Sequence, residues 1–446
     1  MRILRRVIVV VAVTALLLIT AFTGVYLWQQ PILLTGTGYA AHNACAVTEV
    51  AGRDRPETDL PENPLVPYLD VAGAGDPTTA TLLGQLAHQR AWFVDGFGCT
   101  LAGARPDLGP ATPIAAGANP FTDAPVPSAD AAIDAALATG FGDGLAEADA
   151  AALGTRAVLI VKGGELVGER YADGFDAGTP QLGWSMTKSV TNLLTGVLAE
   201  QGVVALGDDG LRPEWTDARA DITIEDLLRQ TSGLEWDETY DLGTPITRML
   251  YLEEDMGGYV ASLPLEHEPG TVQEYSSGNT TLLCDILVER TGLGADLPRQ
   301  ALLGPLGLSS AVIEADAAGT PVCSSYMWAT PRDWAAIGQF ALQDGEWNGE
   351  RLLPDGWMER SLEPTEVDET DDPGNGMSWR TNVMPDGSLR WPELPADAYY
   401  ASGHDGQRVL VVPSEELVVV RMGFTPEAEV NPSFVGMVEQ AVDALR

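Results

Sequence analysis

Residues 183–202 read GWSMTKSVTNLLTGVLAEQG. From Ser185 onward apolar side chains recur at Met186, Val190, Leu193, Leu194, Val197 and Leu198. That spacing of three and four predicts a helix with one buried face, and Gly202 supplies its stop. Ser185 then opens the helix, and Lys188 follows one turn later on the same face. A serine hydroxyl is a weak nucleophile at neutral pH and needs a neighbouring base and a site for the oxyanion it creates. The start of a helix offers free N–H groups and a dipole that favours negative charge. A lysine desolvated there gives up its proton more easily, as a general base must. Ser-x-x-Lys alone is a common pattern. Here Lys162 and Lys188 are the only lysines of the chain, so a serine falls three places before one of them by chance roughly once in ten such sequences.

The pattern on either side of this helix predicts an antiparallel sheet completed by both chain ends. Arg156 to Lys162 and Leu166 to Tyr171 flank Gly163-Gly164 and read as a hairpin. Arg408 to Val412 and Leu417 to Met422 read as two strands joined by Pro413 to Glu416, followed by a helix from Pro432 to Leu445. Further helices are signalled at Ser128 to Ala138, by the capping pair Thr223 and Asp226, from Asn279 to Glu289, and from Thr330-Pro331 to Gln343. The fold class expected is α/β in the α+β sense, an antiparallel sheet flanked by helices plus a mostly helical region.

Upstream the chain changes character. Met-Arg-Ile-Leu-Arg-Arg precedes an apolar run from Val7 to Trp28, long enough to cross a bilayer as a helix with the basic flank in the cytoplasm and Tyr26 and Trp28 at the outer interface. Residues 1–30 are therefore expected to be a membrane anchor, with secretion after cleavage near Ala40-Ala41 as the alternative. Residues 31–127 are rich in Pro, Gly, Ala and Asp and are expected to form an irregular extension and linker, with one helix from Thr79 to Phe93. Residues 128–446 form the main domain. Either way, everything after the anchor faces an oxidising compartment. Cys45 and Cys99 both lie in the extension, so one disulfide between them is the simplest assignment; Cys284 and Cys323 either pair or stay as buried thiols. No Cys-x-x-Cys or clustered His spacing supports a metal site, and no cofactor is implied. With 25 Lys and Arg against 64 Asp and Glu, the net charge of −39 disfavours nucleic acid as a partner.

Two further motifs follow the Ser-x-x-Lys helix in sequence. Tyr275-Ser276-Ser277 lies between Pro269-Gly270 and a predicted helix, where a phenol beside a lysine could pass a proton to a leaving group. Ser402-Gly403-His404-Asp405-Gly406-Gln407 leads into a strand, where glycine lets a substrate approach the backbone and the N–H of Gln407 could join that of Ser185 in an oxyanion hole.

In this order the three motifs resemble the serine β-lactamase and penicillin-binding-protein superfamily, in its class C-like branch with esterases and 6-aminohexanoate-dimer hydrolases. Ser185-Met186-Thr187-Lys188 is similar to that family's Ser-x-x-Lys, Tyr275-Ser276-Ser277 to its Tyr-x-Asn or Tyr-x-Ser, and His404-Asp405-Gly406 to its Lys-Thr-Gly or His-x-Gly. The resemblance runs from about Ser128 to the C-terminus. It implies an acyl-enzyme with Ser185 as nucleophile, Lys188 and Tyr275 sharing acid and base work, and Ser185 and Gln407 holding the oxyanion. The stretch from Thr231 to Tyr240 is similar to the loop that brings a substrate-contacting tyrosine to the pocket, which points to Tyr240.

Departures bear on the substrate. Asp405 in the third motif would repel an anionic substrate, and Ser277 stands where many relatives carry Asn. A small neutral or cationic ester or amide is expected, with D-alanyl-D-alanine peptidase or β-lactamase activity, or a non-catalytic binding module, as alternatives. A Ser-His-Asp hydrolase using Gly183-Trp184-Ser185 as its elbow and His404 as base fails on Thr187, where glycine is needed, and on the strand order.

Overall fold

A computed structural model of the chain describes residues 2–54, 59, 63–367, 369–425 and 431–446. The N-terminal helix α1 spans Arg2–Cys45 and so runs well past the expected end of the anchor. Its first thirty or so residues are exposed apolar surface, whereas Thr35 to Ala41 and Cys45 to Val47 are buried in the body of the protein. At Gly38 the helix touches the backbone of Tyr251 so closely that a Cβ would lie 2.2 Å from its carbonyl oxygen.

The segment after α1 corrects the expectation of an irregular extension. It carries a four-stranded antiparallel sheet: β1 (Leu69–Ala72), β2 (Thr78–Leu82), β3 (Leu86–Val94) and β4 (Gly98–Leu101), paired in that order. The helix expected from Thr79 to Phe93 is in fact the β2–β3 hairpin. Thr78, Ala80 and Leu82 are buried and alternate with half-buried Thr79 and Thr81, a period of two that β-branched threonine suits and a helix cannot bury. Cys45 and Cys99 are joined by a disulfide that ties the end of α1 to β4, and Cys284 and Cys323 are joined as well. Residues 55–58 and 60–62 of the extension lie outside the described residues.

The main body begins with α2 (Ala131–Phe141), capped by the Asp130 carboxylate, and the hairpin β5 (Thr155–Lys162) and β6 (Glu165–Tyr171). Then come α3 (Met186–Glu200), α4 (Ile224–Arg229) with its Thr223–Asp226 capping box, α5 (Ser277–Thr291) and α6 (Pro331–Leu342). The chain ends with β7 (Arg380–Thr381), β8 (Tyr399–Gly403), β9 (Gln407–Val412), β10 (Leu417–Gly423) and α7 (Asn431–Leu445). The six strands form one antiparallel sheet in the order β7-β8-β9-β10-β5-β6, so the first and last strands of this body meet at its centre.

Both faces of that sheet are covered, which explains the nearly unbroken apolar runs of β9 and β10. Leu159, Val409, Val411, Val418 and Val420 point into the larger core with α3, α5 and α6. Val158, Ile160, Leu410 and Val419 point the other way, against Ile133 and Leu137 of α2 and Phe434 and Met437 of α7. The α3 helix is buried on nearly all sides from Met186 to Leu198. Its first turn is thereby fixed between the helical region and the end of β8.

Candidate active site

Ser185 precedes α3 and is half-buried, with helical backbone angles and no capping bond from its own side chain. The residue before it, Trp184, is held at φ +48°, a left-handed conformation that a bulky side chain rarely adopts. Among the described residues the N–H groups of Met186, Thr187 and Lys188 already donate to the carbonyls of Gly183, Trp184 and Ser185. The strained turn thus aims the Ser185 side chain outward from the start of a buried helix.

Lys188 is only 2% exposed. Its Nζ donates to Ser185 Oγ at 3.1 Å, to Ser277 Oγ at 2.8 Å and to the Ser324 carbonyl at 3.1 Å. These three contacts lock the side chain and satisfy the buried amine. The Tyr275 ring faces the same amine, its centroid 4.9 Å from Nζ. Residues from three separate elements, the α3 start, the loop before α5 and the α5 start, therefore converge on Lys188. Ser185, Lys188, Tyr275, Arg380, Tyr400 and Ser402 line one small cavity.

Ser277 passes this network onward. Its Oγ donates to Glu238 Oε1 at 2.5 Å, and its N–H and the Trp236 indole Nε1 donate to Glu238 Oε2 at 2.8 and 2.6 Å. Glu238 was not singled out from the sequence; only its place in the Thr231–Tyr240 loop hinted at it. Arg380 was also missed. It lies with its Cζ 5.3 Å from the Tyr275 centroid and forms a bidentate pair with Asp372, Nη2 to Oδ2 at 2.7 Å and Nε to Oδ1 at 3.2 Å, which together with Tyr275 raises its affinity for its proton despite burial.

On the opposite wall β8 brings Gly403 against Gly183, where a Cβ would meet the Gly183 carbonyl oxygen at 2.1 Å. The His404 ring stacks on Tyr240, with centroids 5.1 Å apart, and meets Trp184 edge-on at 5.6 Å. Tyr240 and Trp184 also touch edge-on at 6.2 Å. Burial, then Glu238, pushes the Tyr240 phenol well above its ordinary value, so it stays a neutral hydrogen-bond donor.

Behind His404, Asp405 adopts φ +57° and is 5% exposed; neither carboxylate oxygen has a hydrogen-bond partner among the described residues, and the His404 Nε2 lies 3.4 Å from Oδ1. Burial raises its pKa, against the pull of His404, Arg156 and Arg421. The Gly406 carbonyl accepts from Arg421 at 2.8 Å.

Gln407 is placed differently from the sequence expectation. A single 3-10 turn over His404–Gly406 separates it from the strand edge, and its N–H donates to the His404 carbonyl. Its side chain clamps Gly423, Nε2 to the carbonyl at 2.6 Å and Oε1 from the N–H at 2.9 Å. Both polar ends are thus engaged within the sheet, which leaves no free N–H for an oxyanion. Asp405 and Gly406 both take left-handed angles in this turn, φ +57° and +82°.

A family model described as beta-lactamase matches residues 130–428. The 6-aminohexanoate-dimer hydrolase of Paenarthrobacter ureafaciens is 25% identical over 296 residues, covering 62% of this chain and 74% of that protein. A penicillin-binding protein homolog from Caulobacter crescentus, 18% identical, superposes with a TM-score of 0.56 over 72% of this chain and 99% of its own. A family VIII carboxylesterase, 16% identical, does so with a TM-score of 0.52 over the same shares. At these identities the structural likenesses speak for the fold.

Proposed function

Because the chain belongs to the beta-lactamase family of serine hydrolases, we propose that it hydrolyses small neutral or cationic esters or amides through an acyl-enzyme on Ser185. The observation that carries this reading is the Lys188 amine held between Ser185 Oγ and Ser277 Oγ, at 3.1 and 2.8 Å, with the Tyr275 ring beside it.

Ser185 Oγ attacks the carbonyl carbon of the substrate, and its proton passes to the Lys188–Tyr275 pair. The oxyanion rests on the N–H of Ser185 and, in place of Gln407, on that of His404, the residue that follows the Gly403–Gly183 contact at the end of β8. Collapse of the tetrahedral intermediate breaks the bond to the alcohol or amine, which leaves with that proton. Water then attacks the acyl-enzyme by the same route and frees the acid. Glu238 acts as a positioning residue that holds Ser277, and through it Lys188, in place.

Asp405 supports the substrate preference, since a buried carboxylate beside the His404 wall disfavours a carboxylate-bearing substrate. The peptidase or β-lactamase reading draws on Arg380, a cation on the Ser185 cavity. Its charge is already matched by Asp372, which weakens that reading. Matched p-nitrophenyl esters with neutral, trimethylammonium and carboxylate acyl chains decide between them. A carboxylate ester or a β-lactam turned over as fast as the neutral ester would sink the preference. Fluorophosphonate labelling confined to Ser185 tests the acyl-enzyme, and a probe that modifies nothing would return the chain to a binding role.

The α1 helix is long and apolar enough to cross a membrane. We read it as a single-pass anchor that places the disulfide-bonded body outside the cytoplasm.

A further inference from the structure

We infer that the turn between β2 and β3 is a second membrane contact, setting Leu83 and Tyr68 into the outer interface of the bilayer; this rests on the reading of α1 as an anchor. The Tyr26 hydroxyl, at the outer end of the apolar run, accepts a hydrogen bond from the Ala87 N–H at 3.0 Å. This bond pins the start of β3 to the level of α1 where an aromatic belt residue meets the headgroups.

The direction of β3 then fixes where the turn points. Phe93, near its far end, is paired with Cys99, which is bonded to Cys45 at the end of α1. From Tyr26 to Cys45 the helix rises about 28 Å at 1.5 Å per residue. From Ala87 to Phe93 the strand rises about 20 Å at 3.3 Å per residue, and the reach of the Tyr26 side chain makes up much of the difference. Strand and helix therefore run side by side in the same direction. The residues just before β3 project toward the membrane end.

Those residues carry apolar surface. Leu83 is 65% exposed and holds φ +51°, an unfavourable place for a branched apolar side chain in water. Its N–H donates to the Tyr68 carbonyl at 3.0 Å, which sets the 57% exposed Tyr68 beside it. Trp28, at 76%, lies on the same stretch of α1 as Tyr26. The exposed Asp70 carboxylate lies by Gly84 of the same turn, which suits a zwitterionic rather than an anionic interface. With α1 alone the body could swing about one helix; a second contact would fix its orientation and the direction in which the Ser185 cleft opens.

Both chain disulfides are formed and no cysteine is free, so one added thiol labels the full-length protein at one place. Ile19→Cys, Leu83→Cys, Tyr68→Cys and the remote, exposed Ser388→Cys variants would each carry an environment-sensitive fluorophore in phosphatidylcholine vesicles with shallow nitroxide lipids. The result expected is a blue shift and loss of emission at 83 and 68, with neither at 388. Protection at 19 with water-like emission at both 83 and 68 would overturn the second contact and leave the anchor standing. Water-like emission at 19 would overturn the anchor and the second contact together.

Discussion

On the Ser185 side of the cleft polar atoms form an unbroken chain: Ser185 to Lys188, Lys188 to Ser277, Ser277 to Glu238, and Trp236 to Glu238. On the His404 side they do not. Both oxygens of Asp405 are buried without a hydrogen-bond partner among the described residues, with only the His404 Nε2 3.4 Å from Oδ1, and the rings of Tyr240, Trp184 and His404 hold one another mainly by stacking. A network already assembled needs no rearrangement when charge develops in a reaction. Unmatched buried polar groups cost about 1–3 kcal/mol each unless something else binds them. On the proposed function, one wall carries the chemistry and the other chooses what enters.

The strongest way to break this contrast is to remove the amine at its centre. Lys188→Ala should lower kcat/KM by at least about a thousandfold on every ester tested, with the fold retained by circular dichroism. Activity that survives would favour a His404 base instead. Next, Glu238→Gln keeps the shape but loses the charge that grips Ser277, and steady-state kinetics should show kcat falling about tenfold to a hundredfold with KM little changed. A rise confined to KM would move Glu238 to the substrate-choosing wall.

Asp405→Asn probes that wall directly. The ratio of kcat/KM for a trimethylammonium ester over a carboxylate ester should drop about threefold to tenfold, while the rate on a neutral ester holds. An unchanged ratio would mean that Asp405 does not select charge.

The smallest effect is on stability. Burial raises the Asp405 pKa in the fold, in the presence of His404, Arg156, Asp59 and Arg421. The folded state therefore keeps its proton to higher pH than the unfolded chain. The stability this provides is complete below about pH 4 and is lost as pH rises through the folded value. Asn cannot ionise, so the urea midpoint of Asp405→Asn should gain on that of the wild type as pH rises above about 4.

The sequence alone determined the parts whose cause is local. The period of apolar residues after Ser185, the Gly163-Gly164 turn and the Thr223–Asp226 cap each specify their element through neighbours a few residues apart. The catalytic-type pair was legible because Ser185 and Lys188 are three residues apart on one helix and lysine is so rare in this chain.

What the sequence could not decide depends on distant partners. The hairpin over Thr79 to Phe93 buries Ala80 and Ala91 against Ala40 and Ala41 of α1, and the absence of a Cβ at Gly38 lets that helix approach the Tyr251 backbone. Glu238 gains its place from Ser277, which is 39 residues away. Gln407 lost its expected place because the turn before it consumes its N–H and Gly423 takes its side chain. Each of these outcomes is a choice of hydrogen-bond partner, and only the assembled fold brings the partners within reach.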